Sequence, residues 1–99
     1  MKIFLSPIRS DKEIEYQFQN ETITVTLNGE QDTLDLSFIK EGHFEMLNED
    51  GTPKLKTTLP QNPIISIKRQ NGELWVVVAN YLGKNATEEE RFPDWIEVS

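Results

Sequence analysis

Apolar and polar residues alternate along most of the chain, the period-2 pattern of half-buried β-strands. The clearest segments are 22–27 and 33–38. The side chains predicted to face inward from them are Ile23, Val25, Leu27, Leu34, Leu36 and Phe38. Asn28-Gly29 between the two segments accepts the positive φ angles of a hairpin turn. A hairpin with a longer or bulged loop over 28–32 is therefore predicted.

A second hairpin is predicted from the β-rich segments 64–69 and 73–78, which flank Gln70-Asn71-Gly72. Within it, Val76 to Val78 are apolar on both faces. Such a continuous run indicates a central strand that is covered on both sides, or a strand with one face covered by a partner.

The remaining segments give weaker signals. Strands are predicted at 3–6 and 14–19 with a turn at 10–13, and a polar edge hairpin is predicted from 43–47 and 54–58 about the turn 49–52. Because residues before proline disfavour helix, 59–63 is expected to be an extended connector.

One short helical turn is predicted at Thr87 to Arg91. Thr87 followed by Glu90 fits a capping box, and Phe92-Pro93 ends the turn. The segment 95–98 alternates again and is predicted to form a last short strand.

These elements predict a single all-β domain over residues 1–99, with mainly antiparallel hairpins in a small sandwich or barrel-like arrangement and at most one short helical turn near 87–91. The chain has 99 residues, of which 36% are hydrophobic, enough for one modest core. No apolar run reaches the roughly 18–20 residues of a membrane helix, so no membrane association is expected. The first residues are too short an apolar run for a secretory signal, and we expect none.

The charge is unevenly distributed. The net charge is −7, and residues 1–51, with four basic and eleven acidic groups, carry the whole excess. A binder of nucleic acid would instead need a basic surface, so we expect no nucleic-acid partner. The acidic half is interpreted as a solubilising surface, and the alternative is an anionic surface that meets a basic partner.

Little in the composition points to catalysis or metal binding. There is no cysteine and one histidine, His43, which has Glu41 and Glu45 two residues away on either side. A metal site needs three or more ligands of matched geometry, and Glu49-Asp50-Gly51 lacks the regular spacing of a calcium loop. We therefore expect no catalytic residue, no cofactor and no metal, and the protein is not predicted to be an enzyme.

Trp75 stands out among the aromatic residues. On a regular strand it points to the opposite face from Leu74 and Val76. Either the sheet is covered on both faces and Trp75 belongs to a core, or Trp75 is part of an aromatic surface that a partner covers.

Several motifs occur in an order that resembles a known family. They are Ser6-Pro7-x-Arg9, Leu27-Asn28-Gly29-Glu30, Leu36-Ser37-Phe38 before Glu41-Gly42, Leu59-Pro60, Arg69-x-Asn71-Gly72-Glu73-Leu74 and Asn85-Ala86-x-Glu88-Glu89-x-Arg91-Phe92-Pro93. Together they resemble a family of small uncharacterised tailed-phage and prophage proteins encoded in the tail-gene region. The segment 43–58 is longer than is usual in that family, and the proline-rich extension that often follows the last strand is absent.

The resemblance implies an accessory protein of a phage or prophage tail module that acts by protein–protein contact, as a minor tail component or as an assembly factor for tail or tail-fibre proteins. It implies a location in the host bacterial cytoplasm during assembly, with virion incorporation left open, and it leaves the oligomeric state unknown. The residues predicted to contact the partner are Trp75, Glu88, Glu89, Arg91, Phe92, Pro93 and Trp95.

Three alternatives stay open. The C-terminal segment could be purely structural, with Arg91 paired to an acidic neighbour and Phe92 in the core. Exposed aromatic rings on a sheet could also stack on sugars, which would make the protein a carbohydrate-binding module for a host surface glycan. The acidic half could mimic DNA and bind a basic host protein, an interaction that high salt would abolish.

Overall fold

The computed structural model describes residues 1–83, 86–91 and 93–98. In this part of the chain the elements are β1 (Lys2–Arg9), β2 (Ile14–Gln19), β3 (Thr22–Leu27), β4 (Glu30–Asp35), β5 (Gly42–His43), β6 (Ile64–Gln70), β7 (Glu73–Leu82), α1 (Glu88–Arg91) and β8 (Ile96–Glu97).

The strands form two sheets. One has five strands in the order β5-β6-β7-β1-β8, and the other has three in the order β2-β3-β4. The prediction of an all-β fold is confirmed, and the two sheets form an open sandwich rather than a closed barrel. All neighbouring strands are antiparallel except β1 and β7, which run parallel.

The core lies between the two sheets. Alternate residues of each strand point into it, as the period-2 pattern requires. The members of this core cluster on the strands are Ile3, Ile23, Val25, Leu27, Leu34, Ile64, Ile67, Leu74, Val76 and Val78, and the connections add Leu36, Ile39, Leu55 and Leu59. One continuous apolar cluster thus holds both sheets together.

Two-residue turns close both predicted hairpins. Asn28 and Gly29 have φ angles of 49° and 84°, and Leu27 pairs directly with Glu30. The prediction of a longer loop over 28–32 is therefore wrong, because Asn-Gly adopts the left-handed conformation of a tight turn at low cost. Asn71 and Gly72 form the equivalent turn between β6 and β7, with φ angles of 53° and 80°.

Strand β4 ends earlier than the alternation predicts. The carboxylate of Asp35 accepts a hydrogen bond from the backbone N–H of Ser37 at 2.9 Å, which turns the chain out of the strand. As a result Phe38 is 56% exposed, and Ile39, at 4%, is buried in its place. The predicted inward position of Phe38 is wrong, whereas those of Leu34 and Leu36 are confirmed.

The N-terminal strand is longer than predicted and pairs with a distant partner. β1 extends to Arg9 and pairs with β7, with Ile3 opposite Val76. The chain turns between β1 and β2 as expected, but it crosses there from one sheet to the other, so the two strands do not pair. The predicted bounds of β2 and β3 are confirmed.

The predicted edge hairpin of the segment 43–58 is present only in a short form about the turn 49–52. Leu47 and Pro53 make one antiparallel bridge, flanked by hydrogen bonds from the Asn48 N–H to the Thr52 carbonyl at 2.7 Å and from the Lys54 N–H to the Met46 carbonyl at 3.0 Å. Proline cannot donate a backbone hydrogen bond, which limits pairing there. Leu55 nevertheless reaches the core, with 6% of its surface exposed.

Side-chain hydrogen bonds tie the connections to the sheets. Asp32 on β4 accepts hydrogen bonds from the Thr57 hydroxyl at 2.7 Å and from the Thr58 backbone N–H at 3.1 Å. The Tyr16 hydroxyl of β2 donates to the backbone carbonyl of Ala79 on β7 and so links the two sheets. Burial, with a contribution from the nearby Tyr81, raises the pKa of Tyr16 and keeps its hydroxyl protonated as a donor.

The predicted capping box of α1 is confirmed. The Thr87 hydroxyl accepts a hydrogen bond from the backbone N–H of Glu90 at 3.2 Å, and the Glu90 carboxylate accepts one from the backbone N–H of Thr87 at 3.1 Å. The last strand, β8, is also present, but it pairs with β1 rather than with the second hairpin. Among the described residues no helix has the length and apolar character needed to cross a bilayer.

Candidate functional site

The outer face of the five-stranded sheet points away from the core. On β7 the buried Val76 and Val78 face the core, so Trp75 and Val77 lie on the opposite, half-exposed face. On β1 the buried Ile3 places Phe4 on that same outer face, directly beside Val77. The apolar run that predicted a central strand therefore has one face in the core and one at the surface.

Three aromatic side chains meet on this outer face, and we call Phe4, Trp75 and Trp95 the aromatic cluster. The ring centroids of Trp75 and Trp95 are 5.1 Å apart with an interplanar angle of 76°. Trp95 lies 5.4 Å from Phe4 and is 38% exposed. Just before β8, the Asp94 carboxylate accepts a hydrogen bond from the Trp95 backbone N–H at 2.8 Å, which restrains the backbone that carries the indole.

Charged side chains surround the aromatic cluster. Lys68 lies opposite Trp75 on β6, and its ammonium group is 5.5 Å from the centroid of the Trp75 ring, within cation–π distance. On the other side of Trp75, the ammonium group of Lys2 is 3.1 Å from a Glu97 carboxylate oxygen and 4.0 Å from Oε1 of Glu73. That Glu73 oxygen is buried and has no hydrogen-bond partner among the described residues. The surface thus has an apolar centre and a charged border, the usual composition of a protein-binding surface.

A shallow groove of about 200 Å³ adjoins the cluster. Its lining includes His43, Ser66, Lys68, Trp75, Val77 and Trp95. His43 comes from β5 and lies opposite Lys68. Glu41 does not join it, since the Glu41 carboxylate accepts hydrogen bonds from the backbone N–H groups of Asn71 and Gly72 at 3.2 and 2.5 Å. In the described ranges no three histidine, aspartate or glutamate side chains are grouped as metal ligands would be.

The predicted contact residues of α1 lie near the end of β1. Glu88, Glu89 and Arg91 are exposed on α1. Arg91 lines a groove of about 440 Å³ with Pro7, Ile8, Arg9, Leu82, Gly83 and Ala86, where β1 and β7 end. Pro93 is half-buried, and Phe92 lies outside the described residues.

The structure therefore divides the predicted set into two groups. Trp75 lies beside Lys2 at the start of β1, whereas Arg91 lines the groove at Pro7 to Arg9 at its end. Arg91 and Trp95 are only four residues apart along the chain, so their Cα atoms are at most about 14 Å from each other, and the two groups are neighbours that line different grooves. Trp75 and Trp95 come together, and the residues of α1 do not join them.

Comparisons of the chain with protein-family models, curated proteins and solved structures found no match. The function of the surface must therefore be inferred from its geometry and from the sequence.

Sequence reasoning missed two members of this surface, Phe4 and Lys68. Alternation about Ile3 could have placed Phe4 on an outer face, but only the parallel pairing of β1 with β7 brings it to the tryptophans. Lys68 is on a predicted strand, and its position above Trp75 depends on the register of the second hairpin. That register follows from the Asn71-Gly72 turn. If the turn is taken to have two residues, Gln70 pairs with Glu73, and Lys68 then lies opposite Trp75.

The acidic turn at 49–51 has a structural explanation. Asp50 accepts hydrogen bonds from the Thr52 hydroxyl at 2.6 Å and from the Thr52 backbone N–H at 3.0 Å. These bonds hold the pKa of Asp50 below its usual value. The carboxylate is engaged in closing its own turn, in agreement with the expectation of a polar turn.

Proposed function

We propose that the protein is an accessory protein of a phage or prophage tail module that binds a tail or tail-fibre protein through the aromatic cluster. The observation that carries the binding proposal is the position of Phe4, Trp75 and Trp95 in contact with one another on the face of the sheet that is not packed on the core. Tryptophan is enriched among the residues that dominate binding energy, and such residues cluster near the centre of an interface. The phage context is supported by the sequence motifs alone.

In this proposal the protein acts by binding rather than by catalysis. Its partner is encountered in the host bacterial cytoplasm during tail assembly, and the protein then either leaves as an assembly factor or stays as a minor tail component. Mass spectrometry of purified phage particles separates the two outcomes.

Binding to the purified tail and tail-fibre proteins of the same genome, measured by biolayer interferometry, tests the proposal. We expect Trp75→Ala and Trp95→Ala each to weaken binding by about 30-fold, the effect of losing an interface residue worth about 2 kcal/mol. Phe38→Ala is the matched control, since Phe38 is an exposed aromatic residue outside the cluster. Arg91→Ala tests whether the partner instead contacts the residues of α1 near the end of β1.

The result depends on keeping the fold intact. Loss of binding with unchanged melting temperatures supports the aromatic cluster as the contact surface. Loss of binding only in Arg91→Ala would move the contact to α1, and no binding to any tail protein would contradict the proposal.

Carbohydrate binding is the second candidate, favoured by the groove that places His43, Ser66 and Lys68 beside the indoles. Sugars stack on an open, flat ring face, however, and the angle of 76° between Trp75 and Trp95 makes a cleft rather than a flat platform. Both tryptophans of the chain are in the cluster, so intrinsic fluorescence reports on this site. A titration with host-wall polysaccharide that leaves the fluorescence flat would remove this candidate.

A further inference from the structure

Strand β2 is an edge strand whose outward backbone groups are free to pair. It lies at the end of the three-stranded sheet and pairs with β3 through the two-residue turn after Gln19. Such a turn places the odd-numbered residues of β2 in hydrogen-bonded pairs with β3, and the bond from the Asn28 N–H to the Glu13 carbonyl, 2.8 Å, continues this pattern. The backbone N–H and C=O groups of the even-numbered residues, 14, 16 and 18, therefore point outward.

Apart from the charge of Glu15, this edge lacks the features that usually protect a strand from pairing. It has no proline, no lysine and no bulge, and within the described residues no hydrogen bond reaches its outward backbone groups. The other edge of the same sheet is covered where Asp32 on β4 binds Thr57 and Thr58. The outer edge of β1 carries Pro7 and pairs with β8 at its start.

The β2 edge also borders an apolar groove. Ile14, Tyr16 and Phe18 are half-buried side chains that point toward the core, and the rings of Tyr16 and Phe18 are stacked with centroids 5.8 Å apart. Together with Leu5 of the other sheet and Asn80 they line a groove of about 390 Å³. A strand added at this edge would place its own alternate side chains beside these.

The sequence of β2 is complementary to itself when read antiparallel. From Glu13 to Gln19 it reads Glu-Ile-Glu-Tyr-Gln-Phe-Gln, with the carboxylates before Tyr16 and the amides after it. Antiparallel pairing about Tyr16 puts Glu15 opposite Gln17 and Glu13 opposite Gln19, so each carboxylate meets an amide that can donate to it. Ile14 then lies opposite Phe18, on the side of the groove.

The neighbouring registers are less favourable. The outward backbone groups belong to even-numbered residues, so an even-numbered residue must lie opposite an even-numbered residue of the other copy. The nearest alternative registers therefore have Glu15 or Gln17, instead of Tyr16, at the two-fold axis. A centre at Glu15 places that carboxylate opposite its own copy. A centre at Gln17 places Glu13 opposite Glu21. Like charges directly opposite one another destabilise a strand pair.

We propose that two copies of the chain associate by antiparallel pairing of their β2 strands about Tyr16, which makes one continuous six-stranded sheet from the two three-stranded sheets. Each copy carries a net charge of −7, so the association strengthens as salt screens the repulsion. The pairing does not involve the outer face of the five-stranded sheet, so it leaves the aromatic cluster of both copies exposed. The inference does not depend on the proposed function.

Sedimentation of the full chain over a wide concentration range, at low and high salt, tests the association. We expect the mass to rise from 11.5 kDa toward twice that value with concentration, at lower concentration in high salt. Gln17→Glu puts carboxylates opposite each other twice in the dimer and should raise the dissociation constant by about tenfold. The exchange Glu15→Gln with Gln17→Glu restores the pairing and should restore the dimer.

Gln31→Glu is the control for total charge, because it adds the same charge at an exposed position of β4. Equal weakening by Gln17→Glu and Gln31→Glu would overturn the proposal. A chain that stays monomeric at every concentration and salt level would also overturn it. The edge of β2 would then be open for pairing with a strand of another protein.

Cross-linking tests the register directly. The chain has no cysteine, so Glu15→Cys and Gln17→Cys each introduce a single thiol. In the proposed register residues 15 and 17 form a non-hydrogen-bonded pair with Cα atoms about 4.5 Å apart, within the range of a disulfide. Mixing the two variants under oxidising conditions should give a mixed disulfide dimer faster than either variant links to itself. Faster self-linking of one variant would show a different register and overturn the proposal.

Discussion

The guanidinium group of Arg69 on β6 holds the carboxylate of Glu21, at the turn between β2 and β3, through two hydrogen bonds of 2.8 and 3.1 Å. The same side chain donates to the backbone carbonyls of Ile39 at 2.6 Å and Gly72 at 2.9 Å. Arg69 is largely buried, with 13% of its side chain exposed. One residue of the five-stranded sheet thus anchors the end of the three-stranded sheet and two connections.

Arg69→Lys should destabilise the fold although it keeps the charge. A lysine ammonium cannot reproduce the planar arrangement of donors that serves three acceptors at once. After allowance for the partly solvated carboxylate, we expect the free energy of unfolding to fall by about 1–2 kcal/mol. Urea denaturation measures the change, and Arg9→Lys, at an exposed position, should leave stability unchanged.

The Arg69–Glu21 pair should also contribute to acid sensitivity. Hydrogen bonding to Arg69 is the main reason that the pKa of Glu21 lies below its ordinary value of 4.5. The unfolded chain therefore binds this proton first, and the stabilising contribution is present above about pH 4.5 and is lost as the pH falls through the folded-state pKa. The stability difference between wild type and Glu21→Gln should accordingly shrink on acidification.

This pH dependence can be assigned to the pair. When Arg69 is replaced by Met, Glu21→Gln should change the free energy of unfolding by nearly the same amount at every pH in this range. If the pH dependence persists without the guanidinium group, the assignment is wrong.

The contact between Asp32 and Thr57 should hold the connector before β6 against β4. Thr57→Val keeps the side-chain shape but removes the hydroxyl, which donates to Asp32 at 2.7 Å and accepts a hydrogen bond from the Leu59 backbone N–H at 3.2 Å. We expect a loss of about 1 kcal/mol and faster amide hydrogen exchange in residues 55–59. Thr58→Val is the matched control, because Thr58 binds Asp32 through its backbone N–H, which valine retains. Equal effects of the two substitutions would argue against the hydroxyl contact.

Phe38 and Ile39 should respond in opposite ways to truncation. Ile39 is 4% exposed, and Ile39→Ala should cost about 2–5 kcal/mol through a cavity in the core. Phe38 is 56% exposed and touches Phe44 edge-on, so Phe38→Ala should cost under about 1 kcal/mol. Thermal denaturation of both variants measures the contrast, and a larger loss for Phe38→Ala would contradict the observed end of β4.

The features that depend on local chemistry were predictable from the sequence. Strict alternation identified β2 and β3 with their bounds, and the Thr87–Glu90 spacing identified the capped turn. The burial of Ile39 in place of Phe38 was not predictable from alternation, because the shift depends on a single hydrogen bond from the Ser37 N–H to Asp35. After this contact the chain leaves the strand, so the alternation no longer predicts which residues are buried.

The candidate site was predictable in part for the same reason. Trp75 was identified by its place opposite Leu74 and Val76, and the structure brings it to Trp95. Phe4 was missed because parallel pairing between two distant segments leaves no short-range signal, unlike an Asn-Gly turn. Arg91 lies only four residues before Trp95 but lines a different groove, which no pattern in the sequence indicates.

The pairing of Lys2 with Trp75 joins residues more than seventy positions apart and has a consequence for the order of folding. During synthesis β1 emerges from the ribosome before β7, so it has no parallel partner strand until β7 has been made. The three-stranded sheet consists of consecutive hairpins and closes from local contacts, whereas the five-stranded sheet depends on distant ones and forms more slowly. We therefore expect the aromatic cluster to form after the three-stranded sheet, because it needs β1, β7 and Trp95 together.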